Sequence, residues 1–363
     1  MHMKRFLKVL LALAILAGIG FGALYLTAQP RVDCLTSSVE DDGTHPANAL
    51  QSNATTAVWA DQGKLYLYLQ KTSFLDLNRH SFALTQVDTQ GSRIVRRDDE
   101  EIIPLGLSNG YFYFYLYDFP QSARETAYAL RLADGETCEL PNVADWGYSC
   151  LSAYRAGDGS LTLVDDSHSK TVAIRVFEDS AETVTYQPRT PCGALTLCTD
   201  NAKGSKTVYA QDGQGKRKTI LKITHCDRID LFPAQGGVLA YARNCTTPLY
   251  WIDPSGTVKE LFSYVGMSTK TAMNLVGNDV YLSFLRYKGY GKKWDAPVRF
   301  PNDEKEGTYV IHLDDFSVEK LSDQVYNGLY VFNDGYLYAC TERGSVYQFD
   351  REWKLVKTIL DNG

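Results

Sequence analysis

The chain has 363 residues, a formal net charge of −6 and a hydrophobic fraction of 44%. Nucleic-acid binding requires a surplus of lysine and arginine that neutralises phosphates, so this charge excludes nucleic acid as an expected partner. The length supports a sizeable core. The 28 glycines and 24 tyrosines, set against only 4 methionines, are typical of a folded and mostly β protein.

The first residues form a targeting segment. Lys4, Arg5 and Lys8 precede an uncharged apolar run, Val9–Ala28, whose about 20 residues suffice to span a bilayer as a helix. Because the basic residues come before this run, the positive-inside rule leaves the N-terminus in the cytoplasm and exports the chain beyond Ala28. An uncleaved anchor and a signal peptide cut near Gly20–Gly22 both remain open.

This segment divides the chain into four parts. They are a cytoplasmic n-region, the anchor or signal peptide, a linker and a folded domain, at residues 1–8, 9–28, 29–54 and 55–363. The n-region is too short to hold a domain, so any function belongs to the exported part. We expect a single-pass cell-membrane protein with its folded domain outside the cytoplasm, or otherwise a secreted one.

Eight cysteines lie beyond the apolar run, and none forms a CxxC motif. Their even number suits an oxidising compartment, although small buried strand residues are an equal explanation in a chain of this length. One pair is singled out by its hairpin, RIDLFPAQGGVLAYAR. With the turn centred on Gln235–Gly236, Cys226 falls directly opposite Cys245, which predicts a disulfide between them.

A strand that often ends near aspartate, a turn and a second strand recur along the chain. The copies begin at Ser81, Ala127, Thr171, Thr207, Leu249, Thr308 and Ser345. A second hairpin, with a Gly, Asn-Asp or Asp-Gly turn, precedes most copies. These hairpins begin at Val58, Leu105, Leu151, Phe232, Leu275 and Leu329. Four antiparallel strands per unit of about 43 residues predict one all-β propeller, with seven blades between about residues 55 and 360.

The fourth unit is the weak one. No separate inner strand is visible before Cys192, so TVTYQPR, from Thr183, must serve as the outer strand of blade three or the inner strand of blade four. Six or eight blades therefore remain open. A β-sandwich competes as a fold, but roughly 28 evenly spaced strands do not fit one sandwich.

The pattern resembles that of exported bacterial β-propellers of unknown function, a group related in pattern to the YWTD propellers of lipoprotein receptors. The match is carried by YWID, Tyr250–Asp253, which departs from YWTD at its third residue. The resemblance implies the fold and a binding role, and it implies no catalytic residue. In the blade, Tyr250 and Ile252 are expected to face one neighbour, Leu249 and Trp251 the other.

Catalytic motifs are missing from the sequence. HExxH, HxxEH and GxSxG do not occur, and the histidines are not at metal-ligand spacing, so we expect no metal and no cofactor. Asp165–His168 contains triad residue types, but neighbours in sequence do not make a triad. Paired carboxylates across a cleft, as in glycan-cleaving enzymes, cannot be read from the sequence.

Two segments exceed what a blade needs. The aromatic run YFYFYLY, Tyr111–Tyr117, is explained as core because both faces of a blade are buried. The other segment, Arg286–Gly307, puts about 22 residues between two strands of blade six. Its basic and aromatic side chains suit an anionic or carbohydrate ligand, since guanidinium and ammonium groups pair with anions and aromatic rings stack on sugars. A purely structural, solvated loop is the competing interpretation.

The expected ligand-binding residues come from this loop and from the corresponding loops of blades one and two. They are Tyr287, Tyr290, Lys292, Lys293, Trp294, Arg79, His80 and Arg124. The leading hypothesis is an exported binding or scaffold propeller that contacts the membrane through its N-terminal helix and takes an unknown protein or carbohydrate ligand. A carbohydrate-active enzyme with its site at the channel mouth, and an accessory subunit of a membrane complex, are the other two hypotheses.

Overall fold

The computed structural model describes residues 31–41, 56–72, 80–98, 102–116, 126–140, 151–165, 172–186, 189–200, 205–224, 226, 228–243, 249–262, 269–286 and 306–362. Over these residues the chain forms 29 β-strands and no helix. The strands make seven antiparallel sheets, each built from four consecutive strands, and the first strand of the chain joins the last sheet as a fifth. The expected seven-bladed propeller is confirmed.

The blades succeed one another along the chain, and the short strand β1 (Arg31–Val32) precedes them. Blade 1 contains β2 (Thr56–Asp61), β3 (Lys64–Thr72), β4 (His80–Val87) and β5 (Ser92–Asp98). Blade 2 contains β6 (Ile102–Ser108), β7 (Tyr111–Leu116), β8 (Thr126–Arg131) and β9 (Thr137–Glu139). Blade 3 contains β10 (Leu151–Arg155), β11 (Leu161–Asp165), β12 (Val172–Phe177) and β13 (Ser180–Val184).

The remaining four blades repeat the arrangement. Blade 4 contains β14 (Arg189–Cys192), β15 (Leu195–Asp200), β16 (Ser205–Gln211) and β17 (Arg217–Thr224). Blade 5 contains β18 (Arg228–Ala234), β19 (Gly237–Arg243), β20 (Leu249–Ile252) and β21 (Val258–Phe262). Blade 6 contains β22 (Thr269–Val276), β23 (Asp279–Arg286), β24 (Gly307–His312) and β25 (Val318–Ser322). Blade 7 contains β26 (Gly328–Val331), β27 (Leu337–Cys340), β28 (Val346–Phe349) and β29 (Leu355–Asp361).

The first strands of the blades line the axis of the ring. Strand β6 contacts β2 and β10, β22 contacts β26, and the contact of β2 with β26 joins blade 1 to blade 7. We call the space that these strands enclose the central channel. The turns inside each blade's two hairpins lie at one end of the strands, the hairpin face. The opposite end of the strands is the loop face. The connections from the second strand to the third, and from one blade to the next, start there.

The fourth unit contains both strands that the sequence analysis could not separate. Strand β13 ends at Val184 as the outer strand of blade 3, and Arg189–Cys192 is a separate inner strand of blade 4. This inner strand has only four residues and includes Pro191, which cannot donate a ladder hydrogen bond. Its length and its proline hide it from a search for alternating residues.

Side-chain alternation in the blades agrees with the expected pattern. In β20, Leu249 and Trp251 pack with buried residues of blade 6, while Tyr250 and Ile252 pack with those of blade 4. The aromatic run in β7 is core as expected, since its residues 112–115 are all buried and alternate between blades 1 and 3. Tight sheet-to-sheet packing explains why a strand can be aromatic on both faces.

Residues 31–41, which the sequence analysis assigned to the linker, lie against the ring, and we call them the N-terminal strap. Strand β1 adds to the outer edge of blade 7, where Arg31 pairs with Asp361 at the loop face. The strap then crosses to the hairpin face and runs inward between blades 7 and 1. Leu35 and Val39 are buried on the way, and the carbonyl of Asp41 accepts a hydrogen bond from Arg155 at the channel.

Glu40 ties the two end blades together at the hairpin face. Its backbone amide donates to Asn333 Oδ1 of blade 7 at 2.8 Å. Its carboxylate accepts the backbone N–H groups of Gln62 and Gly63 in the first turn of blade 1. Gly63 adopts a φ of 77°, a region that glycine enters without strain. The strap lacks a hairpin partner in sequence, which is why the repeat does not reveal it.

The register on which the disulfide prediction depends is present in blade 5. Strand β18 pairs with β19 so that Phe232 faces Leu239 and Arg228 faces Arg243. Cys226 is buried, and Cys245 lies outside the described residues. We expect two fewer free thiols than the eight cysteines provide when the exported protein is unfolded without reductant and titrated with a thiol reagent. Eight reactive thiols would contradict the pairing.

The described part of the chain contains no helix long and apolar enough to cross a membrane. The apolar run Val9–Ala28 lies outside the described residues, so the anchor stays a prediction.

Candidate functional site

The ligand-binding residues expected from the sequence lie almost entirely outside the described residues. This holds for Tyr287, Tyr290, Lys292, Lys293, Trp294, Arg79 and Arg124. His80 is the first residue of β4, where it pairs with Thr72 at the loop face. The strands that flank the long segment, β23 and β24, also meet the loop face, with Arg286 and Gly307 at their ends. The expected loop site therefore remains a prediction, and the described polar residues of the channel form the candidate site.

Two networks of polar side chains cross the central channel, and both start from adjacent residues of β10. Tyr154 and Arg155 point to opposite faces of this strand, as successive strand residues do. Arg155 reaches back to blades 1 and 2, whereas Tyr154 reaches forward past blade 4 to blade 5.

The network of Arg155 lies at the hairpin face. Its Nη2 is 3.1 Å from Asp61 Oδ1 and donates to the carbonyl of Leu107 at 2.9 Å. Asp61 also accepts the backbone N–H groups of Asn109 at 3.1 Å and Gly110 at 2.7 Å. One carboxylate thus joins the first turns of blades 1 and 2 to blade 3. All of Asp61's described contacts are structural. Asp61 joins neighbouring blades through backbone N–H groups, as Glu40 does between blades 7 and 1.

The second network, which we call the arginine cluster, consists of Tyr154, Arg228, Asp230 and Arg243. The Nε of Arg228 donates to Asp230 Oδ1 at 2.7 Å, and the Nε of Arg243 donates to Oδ2 at 2.6 Å. The hydroxyl of Tyr154 donates to Oδ1 at 3.0 Å. Only 2% of the Asp230 side chain is exposed, against 4% for Arg228 and 8% for Arg243. The cluster therefore lies away from bulk water.

Electrostatics keep the cluster charged in spite of its burial. Burial alone would raise the pKa of Asp230, but Arg243 and Arg228 outweigh it and hold that pKa below its usual value of 3.8. Burial would also lower the pKa of Arg243, yet the Asp230 carboxylate raises it. Burial raises the pKa of Tyr154 well above 10.0, so this hydroxyl stays a neutral donor.

Aromatic rings surround the charged groups. The guanidinium of Arg228 lies over the Tyr154 ring, 4.8 Å from its centroid, and Arg243 lies 5.8 Å from the centroid of Tyr241. Tyr154 also stacks on Tyr186, with ring centroids 5.2 Å apart. Such cation–π contacts stabilise a desolvated guanidinium by about 2 kcal/mol. The channel wall is thus cationic and aromatic at this level.

The two carboxylates described in the channel networks are not arranged as the pair that glycan cleavage uses. Asp61 and Asp230 belong to separate networks, and each is neutralised by arginine. Nor do the described residues include a group of three or more His, Cys, Asp or Glu side chains able to hold a metal ion. One His–Asp pair exists at the hairpin face of blade 6, with His312 Nδ1 2.7 Å from Asp279 Oδ1, and both side chains are more than one third exposed.

A cleft of 730 Å³ opens between blades 5 and 6 at the hairpin face. Phe232, Pro233 and Leu275 contribute its apolar wall. Asn278 donates to Asp314 at 2.7 Å and accepts the backbone N–H of Gln235 at 3.3 Å. The polar groups of the cleft therefore already bind one another.

The sequence analysis missed the arginine cluster, although a signal for it is present. The segment RIDLFPA places Arg228 and Asp230 in the first strand of a blade, where both faces are normally apolar. Arg243 ends the next strand, directly opposite Arg228. Charged residues at paired positions of an otherwise buried hairpin indicate a buried polar network, because an isolated buried charge is very costly.

No protein-family model and no curated protein matches the chain. Among solved structures, the β-propeller domain of the Trilobed protease from Pyrococcus furiosus is 11% identical, over 86% of this chain and 98% of that one, with a TM-score of 0.47. Puromycin hydrolase is 11% identical over 89% of this chain and 56% of that one, with a TM-score of 0.50. TolB from Acinetobacter baumannii is 11% identical over 81% of this chain and 82% of that one, with a TM-score of 0.37.

These likenesses concern the fold alone. The chain spans about half the length of puromycin hydrolase, which it covers to 56%. At 11% identity a shared fold carries no activity from one protein to the other. The strand order, the closed ring and the similarity to puromycin hydrolase agree that the chain is a seven-bladed β-propeller.

Proposed function

We propose that this propeller is a binding or scaffold module for a ligand or protein partner, in preference to a carbohydrate-active enzyme. The observation that carries the proposal is the lining of the central channel. Arginines and tyrosines are prominent among its described polar groups, and the carboxylates of Asp61 and Asp230 are each paired with arginine. In glycan hydrolysis the general acid and the nucleophile or base are carboxyl groups with tuned pKa values that can reach the substrate. Cationic and aromatic walls instead suit the recognition of an anionic or carbohydrate group.

We further propose that the module acts outside the cytoplasm, held at the membrane by Val9–Ala28. The support is the length of the apolar run and the basic residues before it. An accessory subunit of a membrane complex is a more specific form of the same proposal. Kinship with YWTD propellers, carried by Tyr250–Asp253, also stays a hypothesis.

The proposal is tested with the full chain, extracted from its own membranes in mild detergent and presented to a glycan array and to partner capture. The matched variant replaces Tyr290, Lys292, Lys293 and Trp294 by Ala. Loss of a captured ligand with an unchanged melting temperature supports a binding role for the loop face. To test for glycan hydrolysis, the same preparation is incubated with a panel of glycans.

Release of reducing sugar from any glycan by the purified protein would overturn the binding proposal. Full-length protein that stays soluble without detergent, with a mature N-terminus near Ala23, would replace the anchor by a signal peptide. In that case the binding role stands and the membrane as a partner does not.

A further inference from the structure

The guanidinium of Arg243 is incompletely bound. Its Nε donates to Asp230 Oδ2 at 2.6 Å, but its Nη2 is buried and has no hydrogen-bond partner in the described part of the chain. Leaving a buried donor unpaired costs about 1–3 kcal/mol, and more for a charged group. Most buried polar groups in native proteins are paired, so an exception at a channel wall calls for a physical reason.

Asp230 does not supply the missing acceptor. A carboxylate that pairs with one arginine usually offers both oxygens, in two parallel hydrogen bonds. Here Oδ1 accepts from Arg228 and Tyr154, and only Oδ2 remains for Arg243. The arrangement holds the Arg243 guanidinium in place through one edge and leaves Nη2 for a second acceptor.

The position of Arg243 suits a ligand. It is the last residue of β19, so it lies at the loop-face end of blade 5, while Asp230 holds it from deeper in the channel. Tyr330, in the first strand of blade 7, is close enough for Arg243 to influence its titration. Burial dominates and raises the pKa of Tyr330 far above 10.0, so this neighbour is neutral and does not compensate the guanidinium.

We infer that Arg243 is the anchor of an oxyanion subsite in the central channel, which binds a carboxylate or phosphate group of the ligand through Nη2. The inference rests on the proposed binding function and names the chemistry of one part of the ligand. A planar guanidinium fixed by Asp230 is already oriented, so an incoming oxyanion meets a donor that loses little further freedom. The burial of the Arg243 side chain, of which 8% is exposed, would strengthen the pairing because the local dielectric is low.

The test uses the full chain in non-ionic detergent, titrated in a calorimeter with sodium phosphate and, separately, sodium acetate. Sodium chloride keeps the ionic strength constant, because unspecific screening would otherwise imitate binding. The variants are Arg243→Gln, which removes the charge, and Arg243→Lys, which keeps the charge but loses the planar fork. The matched control is Arg217→Gln, since Arg217 stacks on Tyr209 at 4.3 Å on the outer strand of blade 4, away from the channel.

We expect phosphate, acetate or both to bind the unaltered protein. Arg243→Gln should abolish binding, Arg243→Lys should weaken it at least about tenfold, and Arg217→Gln should leave it unchanged. Binding of phosphate alone or acetate alone identifies which oxyanion the subsite prefers. The inference is overturned if neither anion binds, or if a folded Arg243→Gln or Arg243→Lys protein binds as the unaltered protein does. A partner captured equally by Arg243→Gln would leave the proposed binding function intact.

The folding of the Arg243→Lys variant is checked separately from its binding. Its binding is interpreted only when its circular dichroism and its urea midpoint show a folded ring, since a lost subsite and a lost fold would otherwise look alike. A folded Arg243→Lys protein with full phosphate affinity counts against the subsite, because an ammonium at the end of a flexible chain cannot reproduce the geometry of Nη2.

Discussion

Replacing Leu35 and Val39 of the N-terminal strap by alanine should lower the free energy of unfolding by about 4 kcal/mol. Only 3% of Leu35 and 0% of Val39 is exposed, and both pack into the cluster that joins blades 7 and 1. Large-to-small changes at such sites lose apolar burial and leave a cavity. The ring is closed where blade 7 meets blade 1, and we call this junction the seam. Weakening the seam therefore destabilises the ring as a whole. Urea denaturation monitored by tryptophan fluorescence measures the change.

The chain offers a matched control for this experiment. Leu355 and Val356, at the start of β29, are 55% and 42% exposed. The double change Leu355→Ala/Val356→Ala removes the same kinds of atoms from an exposed part of blade 7, but its effect should stay within about 0.5 kcal/mol. Equal losses in the two double variants would show that the strap does not hold the seam. Glu40→Ala should fall between them, because it removes the acceptor for two backbone N–H groups of blade 1.

The sequence was sufficient to predict the fold because the blades repeat one local rule. Alternating side chains and glycine or Asp-Gly turns occur at regular spacing, and both signals act within a hairpin. The strap obeys no such rule. Its contacts with Asn333 and Asp88 join residues far apart in the chain, and only closure of the ring brings them together. Long-range contacts of this kind leave no periodic pattern.

The candidate site was predicted less well, for a related reason. Loop composition drew attention to Tyr290 and Lys292, because an excess of basic and aromatic residues is visible in a linear sequence. The arginine cluster needs Tyr154 of blade 3 and Asp230 of blade 5 in contact, although they lie 76 positions apart in the chain. The register of β18 against β19 was predictable, and it sets Arg228 opposite Arg243. The contact that Tyr154 makes with Asp230 across the channel was not predictable.

Asp230→Asn should be the most destabilising isosteric change in the channel. It removes the one described carboxylate of the cluster and leaves the guanidinium of Arg243 buried without its anion. Breaking a buried ion pair from one side costs about 3–5 kcal/mol, because the remaining charge is uncompensated. The free energy of unfolding at pH 7, from urea denaturation, should fall by that amount. Asp253→Asn is the control, since Asp253 accepts hydrogen bonds from Ser255 and Thr257 in an exposed turn, and its loss should be clearly smaller.

The pH dependence of the free energy of unfolding provides a second test of the arginine cluster. The folded-state pKa of Asp230 lies below its unfolded value of 3.8, so the folded protein holds this carboxylate ionised to lower pH than the unfolded chain does. Its contribution to stability is therefore complete above the unfolded pKa and is lost as the pH falls through the folded one. The difference in unfolding free energy between the unaltered protein and Asp230→Asn should be constant from pH 7 to about pH 5 and should shrink below about pH 4. Arg228, Arg243 and Tyr154 stay protonated over this range, so the change belongs to Asp230. A difference that is already absent at pH 7, or that grows on acidification, would show that Asp230 does not hold the two arginines in the channel.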